Sequence, residues 1–329
     1  MVWTNTKSRR GTAQARDRTT RRTTRVASRG IEVAAPGKVN LVLRVLDRRP
    51  DAYHNLWSVM QAFDLSDTVI AETDGGEGVR MTCEGADLPT DSTNLACRAA
   101  ERALARLGRR QGIRLVVRKR LPVAAGVGGG SSDAAATIRA LATLLQTGWS
   151  RDDMAAVGAE VGSDVPFFFY GPTALVEGRG ERVSPLQLEG ERWLLLVNPG
   201  IAIPTAWAYG KLAAARANRE EPPGRLPRFA PHPVTGDPPV VKWPDLLPLV
   251  GNDFAPVMEA EHPVLREIRL LLVTRGAEAA LLSGSGSTVF GLFADERSAR
   301  AAADGLDRRP GWRTWVTRTQ GQPVGTSLG

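Results

Sequence analysis

Two cysteines, three histidines and three tyrosines in 329 residues make this chain poor in the side chains that most often do chemistry alone. Cys83 and Cys97 give neither a disulfide framework nor a metal cluster, and they suit ordinary thiols of a reducing compartment such as the cytoplasm. The histidines are scattered, and no His/Cys/carboxylate spacing suggests zinc, so no metal ligands are assigned. No apolar run approaches the roughly 18 residues of a membrane span, which argues against a membrane partner. Internal repeats are absent. What remains is the composition of a soluble globular protein, 42% hydrophobic and 24% charged, long enough for two domains or two halves sharing one core.

The net charge of +8 is concentrated at one end. Of the 43 basic and 35 acidic residues, nine basic and one acidic lie in residues 1–30, which leaves 34 of each for the rest. The pI near 10 therefore reports the tail, not the body. This segment is rich in Arg, Thr and Ser and poor in large apolar residues, the composition of a disordered arm. A basic arm can touch nucleic acid or an anionic membrane without specificity, and it also has the composition of a transit peptide. The expectation is a dispensable extension and no specific nucleic-acid partner.

The most informative stretch is Leu121–Leu145, LPVAAGVGGGSSDAAATIRALATLL. Gly126, Gly128, Gly129 and Gly130 allow positive φ and close approach of backbone to a ligand. Ser131, Ser132 or Asp133 are expected to cap the helix that the Ala/Leu spacing predicts next. A glycine-rich loop running into a helix N-terminus offers unpaired N–H groups and a positive dipole end, which is how phosphates are held. A tight loop before an ordinary buried helix is the alternative. Two familiar phosphate patterns fail: no Lys follows the glycines as G-x-x-x-x-G-K-[ST] requires, and Ser131 stands where G-x-G-x-x-G needs its last Gly.

Elsewhere the chain reads as strand, Pro36-Gly37 turn, and strand from Ile31 to Val45, with Lys38 and Asn40 on one side of the second strand. Asp67–Glu72, Val79–Cys83 and Ile113–Val117 are further strands, and Asn94–Leu107 is an amphipathic helix. Asp51-Ala52-Tyr53-His54-Asn55-Leu56 carries a Tyr-His pair that is rare in this composition. Gly162-Ser163-Asp164-Val165-Pro166-Phe167 sets an Asp against apolar neighbours, where a nearby cation is expected. Glu177–Glu181 reads as a hairpin. Trp193–Val197 is a buried strand, and Ile203-Pro204-Thr205 leads into a helix with Trp207 and Tyr209. Asn218–Asp245 is Pro-rich and aperiodic, a surface insertion. Ser283-Gly284-Ser285-Gly286-Ser287-Thr288 is a second Gly/Ser loop between two strands. The last ten residues read as frayed.

In this order the motifs resemble those of the GHMP kinases: P-G-K-x-N at Pro36–Asn40, P-x-x-x-G-x-G-G-G-S-S at Pro122–Ser132, and S-G-S-G at Ser283–Gly286. R-x-D-A-Y-H-N-L, G-S-D-V-P-F-F and E-G-x-G-E are similar to motifs of one branch, whose substrate carries a cytidine diphosphate group; Ala52 and Ser163 depart from it. The resemblance implies an α+β, two-domain GHMP kinase fold, with a ribosomal S5-like N-terminal half at 31–190 and a ferredoxin-like C-terminal half at 191–319. The tail 1–30, the insertion 218–245 and the end 320–329 fall outside it. It further implies ATP and Mg²⁺, with Ser131 or Ser132 the nearest candidates for the metal.

The same resemblance implies that Pro122, Gly126, Gly128, Gly129, Gly130, Ser131, Ser132, Ser283, Gly284, Ser285 and Gly286 bind ATP. Lys38 and Asp164 would act on the reacting hydroxyl, Asp164 taking its proton. Asn40 would orient the substrate, and Tyr53, His54, Thr205 and Tyr209 would hold its cytidine end. Another small-molecule GHMP kinase, of homoserine or mevalonate type, and a non-catalytic binding protein of the same fold are the alternatives. The protein is expected as a monomer or homodimer.

Overall fold

The computed structural model describes residues 30–51, 53–217 and 237–321, and the backbone of 326–328. The basic tail at 1–29, Ala52 and most of the Pro-rich insertion, 218–236, lie outside the described residues.

The N-terminal half begins with two long antiparallel strands, β1 (Ile31–Arg48) and β2 (His54–Glu77). β3 (Val79–Glu84), α1 (Leu95–Leu107) and β4 (Gln111–Arg118) follow, then α2 (Gly129–Leu144), α3 (Arg151–Val161) and the single turn α4 (Phe167–Tyr170). The hairpin β5 (Thr173–Gly178) and β6 (Arg182–Pro185) and the short β7 (Gln187–Glu189) complete it. Asn94 caps α1 by accepting from the Ala96 amide, and Gly108 closes it in the left-handed region, each an end effect of about 1 kcal/mol. Apolar faces of α1, α2 and α3 bury against one face of the sheet through Ile113, Leu115, Ile138 and Leu141.

The C-terminal half runs β8 (Trp193–Asn198), α5 (Thr205–Ala217), β9 (Val240–Lys242), α6 (Trp243–Leu246), β10 (Gly251–Asn252), α7 (Ala255–Glu261), α8 (Pro263–Thr274), β11 (Ala279–Leu282), β12 (Val289–Phe293), α9 (Glu296–Ala303) and β13 (Arg313–Arg318). Its sheet has the order β11-β12-β8-β13, every pair antiparallel. Strand, helices, two strands, helix and strand in that order is the ferredoxin-like arrangement.

The halves are joined in two ways. β10 pairs parallel with β1, and β14 (Thr326–Leu328) pairs antiparallel with Ile31–Val33, so C-terminal residues complete the N-terminal sheet. A shared hydrophobic cluster also crosses between the sheets, from Val39, Leu41 and Phe63 to Leu194, Leu196, Phe290 and Leu292.

Three sequence expectations change. Pro36-Gly37 is not a turn: β1 continues through it with a register shift between Pro36 and Lys38. Proline has no N–H for the ladder, and a Cβ at Gly37 would collide with the Phe63 ring, so the pair forms a bulge under that ring. The Pro-rich region is not aperiodic to its end, because Val240–Lys242 pairs with β7 and Trp243 is buried, its indole N–H donating to the Gly190 carbonyl at 3.2 Å. The frayed C-terminal end is in part the strand β14.

Candidate active site

The bulge in β1 decides where the site begins. Beyond it the Lys38 amide donates to the Val127 carbonyl at 2.9 Å, so the strand is tied to the glycine-rich loop. The Lys38 side chain is buried, and its ammonium donates to Asn40 Oδ1 at 2.8 Å. Asn40 Nδ2 donates to Ser58 Oγ at 2.9 Å, and Ser58 donates onward to the Val42 carbonyl at 2.7 Å. This chain of donors fixes the Asn40 amide with its oxygen toward Lys38. Ser58 escaped the sequence reading, since a serine on a buried strand carries no signal of its own.

Asp164 reaches the same ammonium from another element. It sits in the turn between α3 and α4, with its Oδ2 3.3 Å from Lys38 Nζ and its side chain 31% exposed. The expected cation is therefore present, while the carboxylate keeps an open side. The hairpin β5–β6 supports this turn: a Cβ on Gly180 would stand 2.8 Å from the Ser163 carbonyl oxygen.

The glycine-rich loop lies over Lys38. Gly128 is the N-cap of α2 with φ 71°, and no side chain caps the helix. The expectation that Ser131, Ser132 or Asp133 caps it is thus overturned. The left-handed Gly128 turns the chain into the helix early, and the first internal bond runs from the Ser132 amide to the Gly128 carbonyl at 2.9 Å. The amides of Gly129, Gly130 and Ser131 precede it and have no intrahelical acceptor. A Cβ at Gly128 would meet Lys38 Cγ at 2.9 Å. Glycine here lets the lysine pass beneath the loop.

The second Gly/Ser loop meets the first directly. Ser283 Oγ donates to the Gly126 carbonyl at 2.9 Å, and the Thr288 amide donates to the Ala125 carbonyl at 3.1 Å. Any Cβ on Gly126 would strike the Ser283 carbonyl oxygen. Asn252 shapes this loop by donating to the carbonyls of Leu282 and Gly284 at 2.7 and 2.8 Å, and Asn198 donates to Thr288 Oγ1 at 3.1 Å. Neither asparagine was legible in the sequence as part of the site. Beside Pro122, a cavity of about 970 Å³ lies between Lys119–Val123, Asn198–Ala202 and Gly311–Trp315.

The residues expected at the far end of a substrate are brought together only in part. The His54 ring stacks on Tyr209 with centroids 5.0 Å apart and planes 18° off parallel, and Phe254 supports Tyr209 edge-on at 4.9 Å. Burial first, then the charges of Arg48 and Arg216, lowers the His54 pKa, so the ring is neutral at pH 7. Burial and then the Asp164 carboxylate raise that of the Tyr209 phenol, which puts this phenol within electrostatic reach of Asp164. Tyr53 is 55% exposed, with the Arg179 guanidinium 5.2 Å from its ring. Thr205 faces the second Gly/Ser loop, its hydroxyl 3.3 Å from Ser285 Oγ.

For a divalent cation the local donors are hydroxyls. Ser132 Oγ is buried with no partner at the start of α2, and among the described residues no group of three or more His, Cys, Asp or Glu could hold a metal. Among the described residues no helix is long and apolar enough to cross a membrane.

Comparison with known proteins agrees with this geometry. The GHMP kinases N terminal domain family matches residues 94–172, and the GHMP kinases C terminal family matches 243–311. A 4-diphosphocytidyl-2-C-methyl-D-erythritol kinase of Syntrophotalea carbinolica is 41% identical over 284 residues, covering 86% of this chain and 96% of the relative. The enzyme of the same name from Geobacter sp. strain M21 is 40% identical, covering 88% of this chain and 99% of the relative. A crystal structure of 4-(cytidine 5'-diphospho)-2C-methyl-D-erythritol kinase superposes with a TM-score of 0.68 at 33% identity, covering 88% of this chain and 99% of that one. Homoserine kinase from Cytophaga hutchinsonii shares the fold, with a TM-score of 0.66 at 20% identity over 92% of this chain and 98% of its own. With two relatives this similar along nearly their whole length, the chain belongs to the 4-diphosphocytidyl-2-C-methyl-D-erythritol kinase family, a branch of the GHMP kinases.

Proposed function

We propose that this chain transfers the γ-phosphoryl group of ATP to the 2-hydroxyl of 4-diphosphocytidyl-2-C-methyl-D-erythritol, giving the 2-phosphate and ADP in the non-mevalonate route to isoprenoid precursors. The observation that carries this reading is the meeting of Lys38 and Asp164, 3.3 Å apart, directly beneath the glycine-rich loop.

Phosphoryl transfer asks for positioning and charge stabilisation more than for covalent chemistry. The amides of Gly129, Gly130 and Ser131, at the positive end of α2, take the phosphates. Asp164, with its open side, accepts the proton of the attacking hydroxyl as the new O–P bond forms and the bond to the ADP oxygen breaks. Lys38 orients that carboxylate and polarises the hydroxyl, and Asn40, held by Ser58, fixes the substrate beside them. Ser283–Gly286 closes the phosphate site from the other half. His54 and Tyr209 offer a flat aromatic platform for the cytosine, and Tyr53 adds an exposed ring.

If Mg²⁺ binds here, Ser131 and Ser132 would be the candidate protein ligands, Ser132 Oγ being buried with no partner. The ion would supply neutralisation of the charge that develops on the transferred group. The test is a kinase assay of the purified protein with ATP against this substrate, homoserine and mevalonate. Turnover of the cytidine-bearing alcohol alone supports the reading, and preference for either of the others overturns it.

A further inference from the structure

The helix that begins at the glycine-rich loop is tied down by three charged groups that the transfer step does not use. Lys119 follows β4, and its ammonium donates to Asp67 Oδ2 at 2.5 Å and to Asp133 Oδ2 at 2.6 Å. All three side chains are at most 5% exposed. Asp67, on β2, also accepts from the amides of Arg120 and Leu121 at 2.5 and 2.8 Å, where the chain enters the loop. Asp133 lies one turn into α2. The same ammonium lies against the start of that helix, since a Cβ on Gly129 would stand 3.4 Å from Lys119 Nζ. One cation thus joins β2, β4 and the first turn of α2.

The charges do not balance. Two carboxylates and one ammonium leave a buried excess of one negative charge, and Asp133 Oδ1 has no partner. Burial, and the Asp67 carboxylate against the opposing pull of Lys119, pushes the Asp133 carboxyl up to about 7. Burial works to lower the pKa of Lys119, yet the two carboxylates raise it, so the lysine stays charged. The titratable groups facing Asp133 are Lys119, Asp67 and, from β3, Cys83.

We propose that Lys119, with Asp67 and Asp133, positions the ATP loop by clamping the first turn of α2 to the chain that enters the loop. The inference rests on the reading of Gly126–Ser132 as the ATP loop. The free amides at the start of the helix meet phosphate only where this clamp holds them.

The KM for ATP and for the alcohol is measured for the wild type, Lys119→Met and Lys119→Arg. Lys119→Met should raise the KM for ATP by at least about tenfold and leave that for the alcohol in place, and Lys119→Arg should recover most of the loss. A Lys119→Met protein in which both KM values move alike overturns the proposal, as does one whose KM for ATP is unchanged. Should Lys119→Met fail to fold, Asp67→Asn, which keeps the shape and removes the charge of one arm of the clamp, decides by the same split. ATP calorimetry on Gly128→Val separates the two levels. Intact ATP binding there overturns the loop reading itself, whereas lost binding there with an unmoved KM for ATP in the clamp variants overturns the clamp alone.

Discussion

Lys38 and Asp164, 126 positions apart in the chain, hold their ammonium and carboxylate 3.3 Å from each other, one side chain buried and the other open to the cleft. That asymmetry suits a proton acceptor held by a fixed cation. Asp164→Asn keeps the shape and removes the acceptor, so kcat should fall by at least about 10²-fold with modest change in either KM. Steady-state kinetics check this; near wild-type kcat would return the base role to another group.

Gly128→Val should do more than obstruct phosphate. The residue has φ 71°, and its Cβ would press on the Lys38 side chain. Backbone strain of about 1 kcal/mol or more adds to displacement of the lysine. We expect the KM for ATP to rise and kcat to fall together, by about tenfold or more each. A change confined to KM would show that Lys38 keeps its place.

His54→Ala should raise the KM for the cytidine-bearing substrate and spare that for ATP, because it removes half of the stacked pair with Tyr209. pH gives a second reading. The folded-state pKa of His54 is depressed, so what the neutral ring contributes is present above the ordinary histidine value near 6.5 and is lost as pH falls through the lower folded value. The alcohol KM should therefore be flat from pH 8 to about 6.5 and worsen below it. A break above 7 would contradict the neutral ring.

Asp133 has the opposite sign. Its carboxyl is raised to about 7 in the fold from an ordinary 3.8, so the stability linked to its proton is complete below pH 3.8 and is lost as pH rises to 7. Relative to wild type, Asp133→Asn should gain in Tm between pH 4 and 7 and change no further above it. Thermal melts across this range decide; a gain that shrinks with rising pH would contradict the assignment.

Phe290 is fully buried in the cluster that crosses between the two sheets. Phe290→Ala should cost about 3–5 kcal/mol. The melt should stay a single transition, because the cavity weakens both halves at once. Two separated transitions would show halves that fold independently.

The motifs were legible because each is contiguous: a strand start, two glycine loops and an Asp before Val-Pro name their chemistry within a few residues. The helix Asn94–Leu107 and the Glu177–Glu181 hairpin were legible for the same reason. What stayed hidden depends on partners far along the chain. Pro36-Gly37 has the letters of a turn, and only the Phe63 ring and the Val127 carbonyl make it a bulge. Ser58 acts through bonds to Asn40 and Val42 on β1, and Asn198 and Asn252 through bonds to a loop 30 or more positions on, and no spacing marks them. Asp67, Lys119 and Asp133 are separated by strands and a loop, and each alone has the look of a surface charge.

The contact between the two glycine loops bears on turnover. The seam at Gly126 and Ser283 is sealed by a hydroxyl bond, an amide bond from Thr288 and a backbone approach that admits no side chain. Swinging the halves apart like jaws would break all three and peel β10 and β14 off the first sheet. A hinge opening between the halves would therefore have to break these contacts together, so the seam ties the two Gly/Ser loops into one unit.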